Sequence, residues 1–308
     1  VKAGTLDEEE LYKMENTCAP GCGSCSFFGT ANTMCCLSEA MGMTLPTGAL
    51  IPAVYAERSR IAFETGEAIV NLVNKNITAD RIINEHSINN AIRVLNATGG
   101  STNGVLHLLA IAREVGIDSD KMMKKFVEIG MNTPLLVKVN PASKYNMEDF
   151  YLAGGIPQVL KELEKYLELD VLTVTGKTMG ENLEGYQYKS VNRDIIKTVK
   201  EPFSRFGGIA VLRGNLSPEG CITKPSAIIP KMHYFKGTAK VFDSEEEAEE
   251  AILAGRIKPG NVVVIRYEGP KGGPGMKEML SPTAAITGMG LHTSVALITD
   301  GRFSGGTR

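Results

Sequence analysis

Across the first third of the chain the apolar positions recur every three or four residues, the spacing of one face of an α-helix. Met34, Leu37 and Met41 form such a row and Gly42 stops it, which predicts a helix over 30–41. Pro46 breaks the path. A second helix is predicted over 52–74, with Glu57, Arg58, Ser59 and Arg60 facing water and Ile61, Ala68, Ile69 and Leu72 facing a core. A third is predicted over 87–95 and a fourth over 105–115, ended by Gly116. His107 falls on the apolar side of the fourth, where a packed histidine is the commoner outcome than a ligand.

Short apolar runs follow. Residues 135–139 and 171–174 read as strands, separated by a helix over 156–167 that begins after Gly154-Gly155. Strands alternating with helices argue for a parallel sheet covered by helices. Near Pro202 the pattern changes to short strands with tight turns, at 209–212, 221–222, 240–242, 262–265 and 294–298. One helix interrupts them, with a capping box at Ser244 and Glu247, an acidic first turn and Gly255 as its stop. The fold class is therefore α/β: helices packed on a parallel sheet over residues 1–203, then a β-rich second domain over 204–308 that looks unfinished.

Composition narrows the class. The 308 residues are 43% hydrophobic and 22% charged, an ordinary globular balance with room for two cored domains. A net charge of -2 points to no nucleic-acid partner and no membrane surface. No run approaches the ~20 apolar residues of a membrane span, and residues 1–10 lack the apolar core of a signal peptide. Six cysteines are too sparse for a disulfide scaffold, and their clustering favours metal or redox chemistry in a reducing cytoplasm.

The cysteines open the chemistry. Cys18, Cys22 and Cys25 lie in a glycine-rich stretch that runs into a helix, and thiolates are good ligands for iron or zinc. Their spacing matches the four-iron loop of radical S-adenosylmethionine enzymes, but Ser24 stands where the aromatic residue is usual; no second pair at zinc-finger spacing follows. Cys35, Cys36 and Cys221 read as small buried hydrophobes. Gly99-Gly100-Ser101-Thr102 at a helix start could offer N–H groups to an anion, or Ser101 or Thr102 could simply cap the helix, the commoner outcome. Residues 268–278 are too proline-rich for a phosphate-binding P-loop and instead hold side chains still, with Glu278 at the start of a predicted helix. That carboxylate suits a hard cation such as Mg²⁺, or is a solvated helix residue. Finally, an apolar strand runs into a loop with Asp300, Arg302, Ser304 and Thr307. No G-x-S-x-G elbow and no paired histidine accompanies Ser304, so a Ser-His-Asp hydrolase is poorly supported.

Together, residues 23–34, 99–103, 144–149, 207–215, 268–276 and 299–307 resemble the dihydroxy-acid dehydratase and sugar-acid dehydratase family, the last being its C-terminal signature. The resemblance runs nearly the whole length of the chain. It implies an iron–sulfur enzyme that removes water from a 2,3-dihydroxy acid and leaves a 2-keto acid. By resemblance Cys25 matches the last of three cluster cysteines, Glu278 a carboxylate ligand of Mg²⁺, and Ser304 the serine that takes the C2 proton. Arg302, Thr307 and Ser101 are the implied substrate-binding residues. A 2Fe-2S cluster stands ahead of a 4Fe-4S one. The partner is a small dihydroxy acid, and the assembly a homodimer or a dimer of dimers. The family's other cluster cysteines sit in a Cys-Asp-Lys segment that this chain lacks. The second domain, over 204–308, is by resemblance an incomplete β-barrel, so the chain is expected to be an internal piece of a longer protein. Residues 269–280 look most like branched-chain dihydroxy-acid dehydratases; residues 170–180 and Ser26-Phe27-Phe28 also resemble sugar-acid members. A third reading is a catalytically silent chain.

Overall fold

The computed structural model describes residues 1–308 apart from Lys2, Ala19, Pro20, Lys189, Gly272, Pro274 and Arg308. In chain order the helices are α1 (Glu8–Thr17), α2 (Thr30–Ala40), α3 (Ala56–Asn74), α4 (Ala79–Ile82), α5 (Glu85–Thr98), α6 (Asn103–Glu114), α7 (Ser119–Met131), α8 (Met147–Leu152), α9 (Gly155–Glu162), α10 (Met179–Glu184), α11 (Glu245–Leu253) and α12 (Leu280–Gly288). The strands are β1 (Ala210–Leu212), β2 (Cys221–Thr223), β3 (Thr238–Phe242), β4 (Asn261–Ile265) and β5 (Ala296–Thr299). Residues 22–226 form one unit; residues 1–21 and 227–308 form another.

The first unit is built around α5. Asn84 caps it with a reciprocal box, accepting from the Ser87 N–H while the Ser87 hydroxyl accepts from the Asn84 N–H. Gly99 ends it with φ +59°, a left-handed turn that only glycine adopts without strain. Ile88, Ala91, Ile92, Val94 and Leu95 are all fully buried, and α2, α6, α7 and α9 pack around them. Each of the four larger ones, Ile88, Ile92, Val94 and Leu95, contributes about 1.5–3 kcal/mol by leaving water.

The α/β class holds, but the parallel sheet is found in the second unit. The runs at 135–139 and 171–174 carry isolated bridges among the described residues: Leu135 with Ser204, Val137 with Ile196, and Leu172 with Thr178. The reason is visible in the backbone bonds. The N–H groups of Leu136 and Val137 both donate to Ala97 O at the end of α5, while 171–174 closes a local turn through Thr173 N to Lys177 O. A ladder needs a neighbouring strand on one edge, and these donors are already spent. The only ladder of this unit is the short antiparallel pair β1–β2, among the described residues.

In the second unit β3, β4 and β5 lie side by side and parallel, with Val241 beside Val264 and Val264 beside Ile298. Helix α11 connects β3 to β4 and α12 connects β4 to β5, as parallel pairing requires. Ala248, Ile252, Val263, Ile265, Met279 and Ile286 fill the space between helices and sheet. The sheet is open, with no closed barrel among the described residues. Ser244 accepts from the Glu247 N–H as expected, but the Glu247 carboxylate accepts from Asp243 N–H, one residue before the cap.

Three local expectations change. Helix α3 buries only Leu72; Ile69 is 55% exposed, so the row 61, 68, 69, 72 is not a core face. Cys36 is fully buried, whereas Cys35 and Cys221 are exposed. Cys35 lies one helical turn after the exposed Ala31, on the face of α2 turned to solvent, while Cys36 shares the buried face with Leu37.

Helix α2 carries one buried carboxylate. Glu39 is 4% exposed and accepts from the Thr47 and Ala49 N–H groups at 2.8 and 3.0 Å. Burial pushes its carboxyl up to about 7, against the pull of those two bonds. Between about pH 4.5 and 7 the folded chain therefore holds a proton that the unfolded chain has released, and stability falls as pH rises through that window. The full loss is on the order of 3 kcal/mol. Glu39→Gln is expected to flatten this slope, read as equal urea midpoints at pH 5 and 7.5; a wild-type slope in the variant assigns the titration elsewhere.

Candidate functional site

The loops that leave the C-terminal ends of the parallel strands meet one another. After β4 the chain runs through residues 266–279, and after β5 through 300–307. They are joined by a parallel bridge between Glu278 and Arg302. Arg302 N–H donates to Lys277 O, and Met279 N–H donates to Arg302 O at 2.7 Å. The guanidinium completes the lacing, donating through Nε to Met276 O at 2.7 Å and through Nη1 to Glu278 Oε1 at 2.9 Å. Glu278 thus stands two residues before α12, in a bridge rather than in the helix.

Asp300 fastens the other end of the same loop. Its carboxylate accepts from Tyr267 N–H and Glu268 N–H at 3.0 and 3.1 Å. Tyr267 has φ +65°, an uncommon conformation for a non-glycine residue that this clamp helps hold. Gly269 lets the two strand ends close up: a Cβ there would come within 2.6 Å of Asp300 O. The buried Glu268 turns to the start of α11, accepting from Glu245 N–H at 2.8 Å, where a helix N-terminus favours negative charge. Gly272 and Pro274 of this stretch lie outside the described residues.

Ser304 follows in the same loop and is half-buried. Its Oγ accepts from Gly306 N–H at 3.5 Å, and its carbonyl accepts from Thr307 N–H at 3.1 Å. Thr307 Oγ1 is buried with no hydrogen-bond partner among the described residues. The second unit thus brings Glu278, Arg302, Ser304 and Thr307 into two laced loops. Asp300→Ala is expected to cost about 1–3 kcal/mol, because the N–H of the buried Glu268 loses its acceptor while water can replace it at the exposed Tyr267. It should lower turnover more than it lowers the urea midpoint; an unaltered turnover would show that the clamp does not serve the site.

Cys25 and Ser101 lie in the first unit. Cys25 is exposed, and the loop around it is held from below by the first turn of α2. Asn32, nearly buried, donates through Nδ2 to Cys25 O and Phe27 O at 2.7 and 2.9 Å and accepts from the Ser24 hydroxyl at 2.8 Å. Phe28 seals the loop to the core, edge-on to Phe150. Gly29 leaves room for the thiol, since a Cβ there would lie 3.2 Å from Cys25 Sγ. Ser101 is fully buried; its hydroxyl accepts from Asn103 N–H at 3.2 Å and pairs with Thr30 Oγ1 at 3.0 Å. It ties the Gly99–Gly100 turn to the start of α2 and so to the Cys25 loop. Asn32, Glu268 and Lys277, which pairs with Glu246 and lies 3.6 Å from Glu268, were not legible as site residues. Of the three, only Glu268 carried a sequence signal, a carboxylate three residues after the end of an apolar strand.

Among the described residues no group of three or more His, Cys, Asp and Glu side chains could hold a metal ion. Cys25 brings one thiolate and Glu278 one carboxylate already paired with Arg302, so this donor set by itself fits neither a cluster nor Mg²⁺. No helix is long and apolar enough to cross a membrane, among the described residues.

Residues 1–182 match the family model for the N-terminal part of dihydroxy-acid/6-phosphogluconate dehydratases, and residues 194–308 match the model for the C-terminal part. A dihydroxy-acid dehydratase of Caldanaerobacter subterraneus subsp. tengcongensis is 55% identical over 310 residues, covering 100% of this chain and 55% of that protein. Dihydroxy-acid dehydratases of Carboxydothermus hydrogenoformans and Acetivibrio thermocellus are each 53% identical, again over 100% of this chain and 55% of theirs. The chain spans about half the length of the curated relatives it matches.

Proposed function

The chain belongs to the dihydroxy-acid/6-phosphogluconate dehydratase family, and from that premise we propose that the protein removes water from 2,3-dihydroxy acids such as 2,3-dihydroxyisovalerate. The product is a 2-keto acid for branched-chain amino-acid biosynthesis. The observation that carries this reading is the bridge between Glu278 and Arg302, which laces a carboxylate of one loop to a cation in the loop of Ser304 at the C-terminal ends of parallel strands. In open α/β sheets that edge is where ligands bind.

In this reading the Ser304 Oγ alkoxide takes the C2 proton, the electron pair forms the C2–C3 double bond, and the C3–O bond breaks; the departing hydroxide takes that proton from Ser304 Oγ and leaves as water. The enol then loses its hydroxyl proton to solvent, gains one at C3 and becomes the 2-keto acid. A serine hydroxyl is a weak acid, so its alkoxide needs positive charge nearby. Arg302, two residues upstream, is the cation this chain itself brings to the loop, and Thr307 with its unpartnered hydroxyl is a donor for the substrate. An iron–sulfur cluster, 2Fe-2S ahead of 4Fe-4S, and Mg²⁺ belong to the same proposal, with Cys25 and Glu278 each giving one ligand. Ser101 then acts on substrate through the Cys25 loop rather than by contact, because it is fully buried. The proposed assembly is a homodimer or a dimer of dimers, in the cytoplasm.

The test is anaerobic purification followed by assay of 2,3-dihydroxyisovalerate against aldonic acids, measuring the keto acid formed. Visible absorbance and faster turnover of the branched-chain substrate are expected. Faster turnover of an aldonic acid would make it a sugar-acid dehydratase, and a colourless protein that forms no keto acid would overturn the reading.

A further inference from the structure

Lys224 directly follows β2 and belongs to no part of the site described above. It lines a small cleft open to solvent, with Phe28, Thr98, Gly99, Lys138 and Ser226 among its neighbours, and no aspartate or glutamate lines it. The Lys224 ammonium has no hydrogen bond or ion pair among the described residues. Burial alone pushes it down from 10.5 to about 8. A desolvated ammonium without a partner is costly, and such groups are ordinarily paired.

Three carbonyls in the last turn of α5 are already taken by other groups. At the end of α5 a lysine could cap the last carbonyls. Yet Leu95 O accepts from Gly100 N–H, Asn96 O from Gly208 N–H, and Ala97 O from Leu136 and Val137 N–H. The cleft carries a second cation on its wall: Lys138 Nζ lies 5.0 Å from the centroid of the Phe203 ring. Two lysines and no carboxylate give the cleft one sign of charge, and a low-dielectric wall strengthens that field. Phe28, three residues after Cys25, forms part of the same wall.

We propose that this cleft is a binding site for a small oxyanion, a carboxylate or a phosphate, with the Lys224 ammonium as its anchor. The ammonium offers three donors to such a ligand. The site itself rests on the geometry of Lys224; only the identification of the oxyanion with the carboxylate of a dihydroxy acid rests on the dehydratase reading.

The experiment is reductive methylation of the intact wild-type protein at pH 8, resolved lysine by lysine by peptide mass spectrometry. Inorganic phosphate and 2,3-dihydroxyisovalerate are titrated in separately, with the exposed Lys240 as internal control. At ten times its Kd a bound oxyanion is expected to slow Lys224 labelling about tenfold, with Lys240 unchanged. Protection by the dihydroxy acid but not by phosphate supports the site with the substrate carboxylate as ligand. Protection by phosphate supports it as a general oxyanion site, even if the protein forms no keto acid. Labelling of Lys224 that neither ligand slows across a full titration overturns the proposal.

Discussion

Ser304→Ala is expected to lower kcat for dehydration by about 10²–10⁴-fold, the range for removing a positioned acid or base. KM and the urea midpoint should stay near wild type. Both expectations come from the loop. Ser304 is half-buried, its Oγ accepts only a long 3.5 Å bond from Gly306 N–H, and the turn is held by backbone through Thr307 N–H to Ser304 O. The lacing of Arg302 to residues 276–279 does not involve the serine side chain. Visible absorbance should also be retained, because Ser304 is not among the proposed cluster ligands. A variant that keeps wild-type turnover would remove Ser304 from the role of base and leave the base to be sought elsewhere in the protein.

Phe28→Ala carries the largest expected effect on stability, about 3–5 kcal/mol. Phe28 is 2% exposed and meets Phe150 edge-on, with ring centroids 6.4 Å apart. Its N–H donates to Asn140 O at 2.7 Å, so the backbone is pinned on the same side as the ring. Alanine leaves a cavity that the loop cannot fill, since Gly29 and Asn32 hold the chain on either side. A loss of that size is a large part of the ~5–15 kcal/mol that stabilises a typical domain. The measurement is the urea midpoint at constant m-value. A change below about 1 kcal/mol would mean that the Cys25 loop is not anchored through this ring.

Much of the local structure was legible because it is written in short spacings. The glycine stops at Gly42, Gly116 and Gly255 all take positive φ, and the strands near 240, 262 and 296 all form. The Ser244 cap could be placed from residues three apart. The signature loop was legible too, through Asp300, Arg302, Ser304 and Thr307 in one run. Less visible was what those residues do for one another. Asp300 clamps the Tyr267 and Glu268 amides 33 and 32 residues away, and Arg302 meets Glu278 across 24. No local period reports such contacts.

The sequence by itself determined the helical rows, their caps and stops, the apolar strands and the family motifs, because each depends on residues only a few positions apart. Tertiary structure decided which strands pair. The donors of 135–139 go largely to the end of α5 and to loop carbonyls, while β3, β4 and β5 become parallel through two crossover helices. It also decided exposure: the apolar row of α3 stays largely in water, Cys36 is buried beside an exposed Cys35, and Ser101 is sealed against the first turn of α2. Two electrostatic features, Glu39 raised to about 7 and Lys224 lowered to about 8, belong to the same class. Desolvation is set by what packs around a group from distant parts of the chain, and a residue's immediate neighbours in sequence do not carry that information.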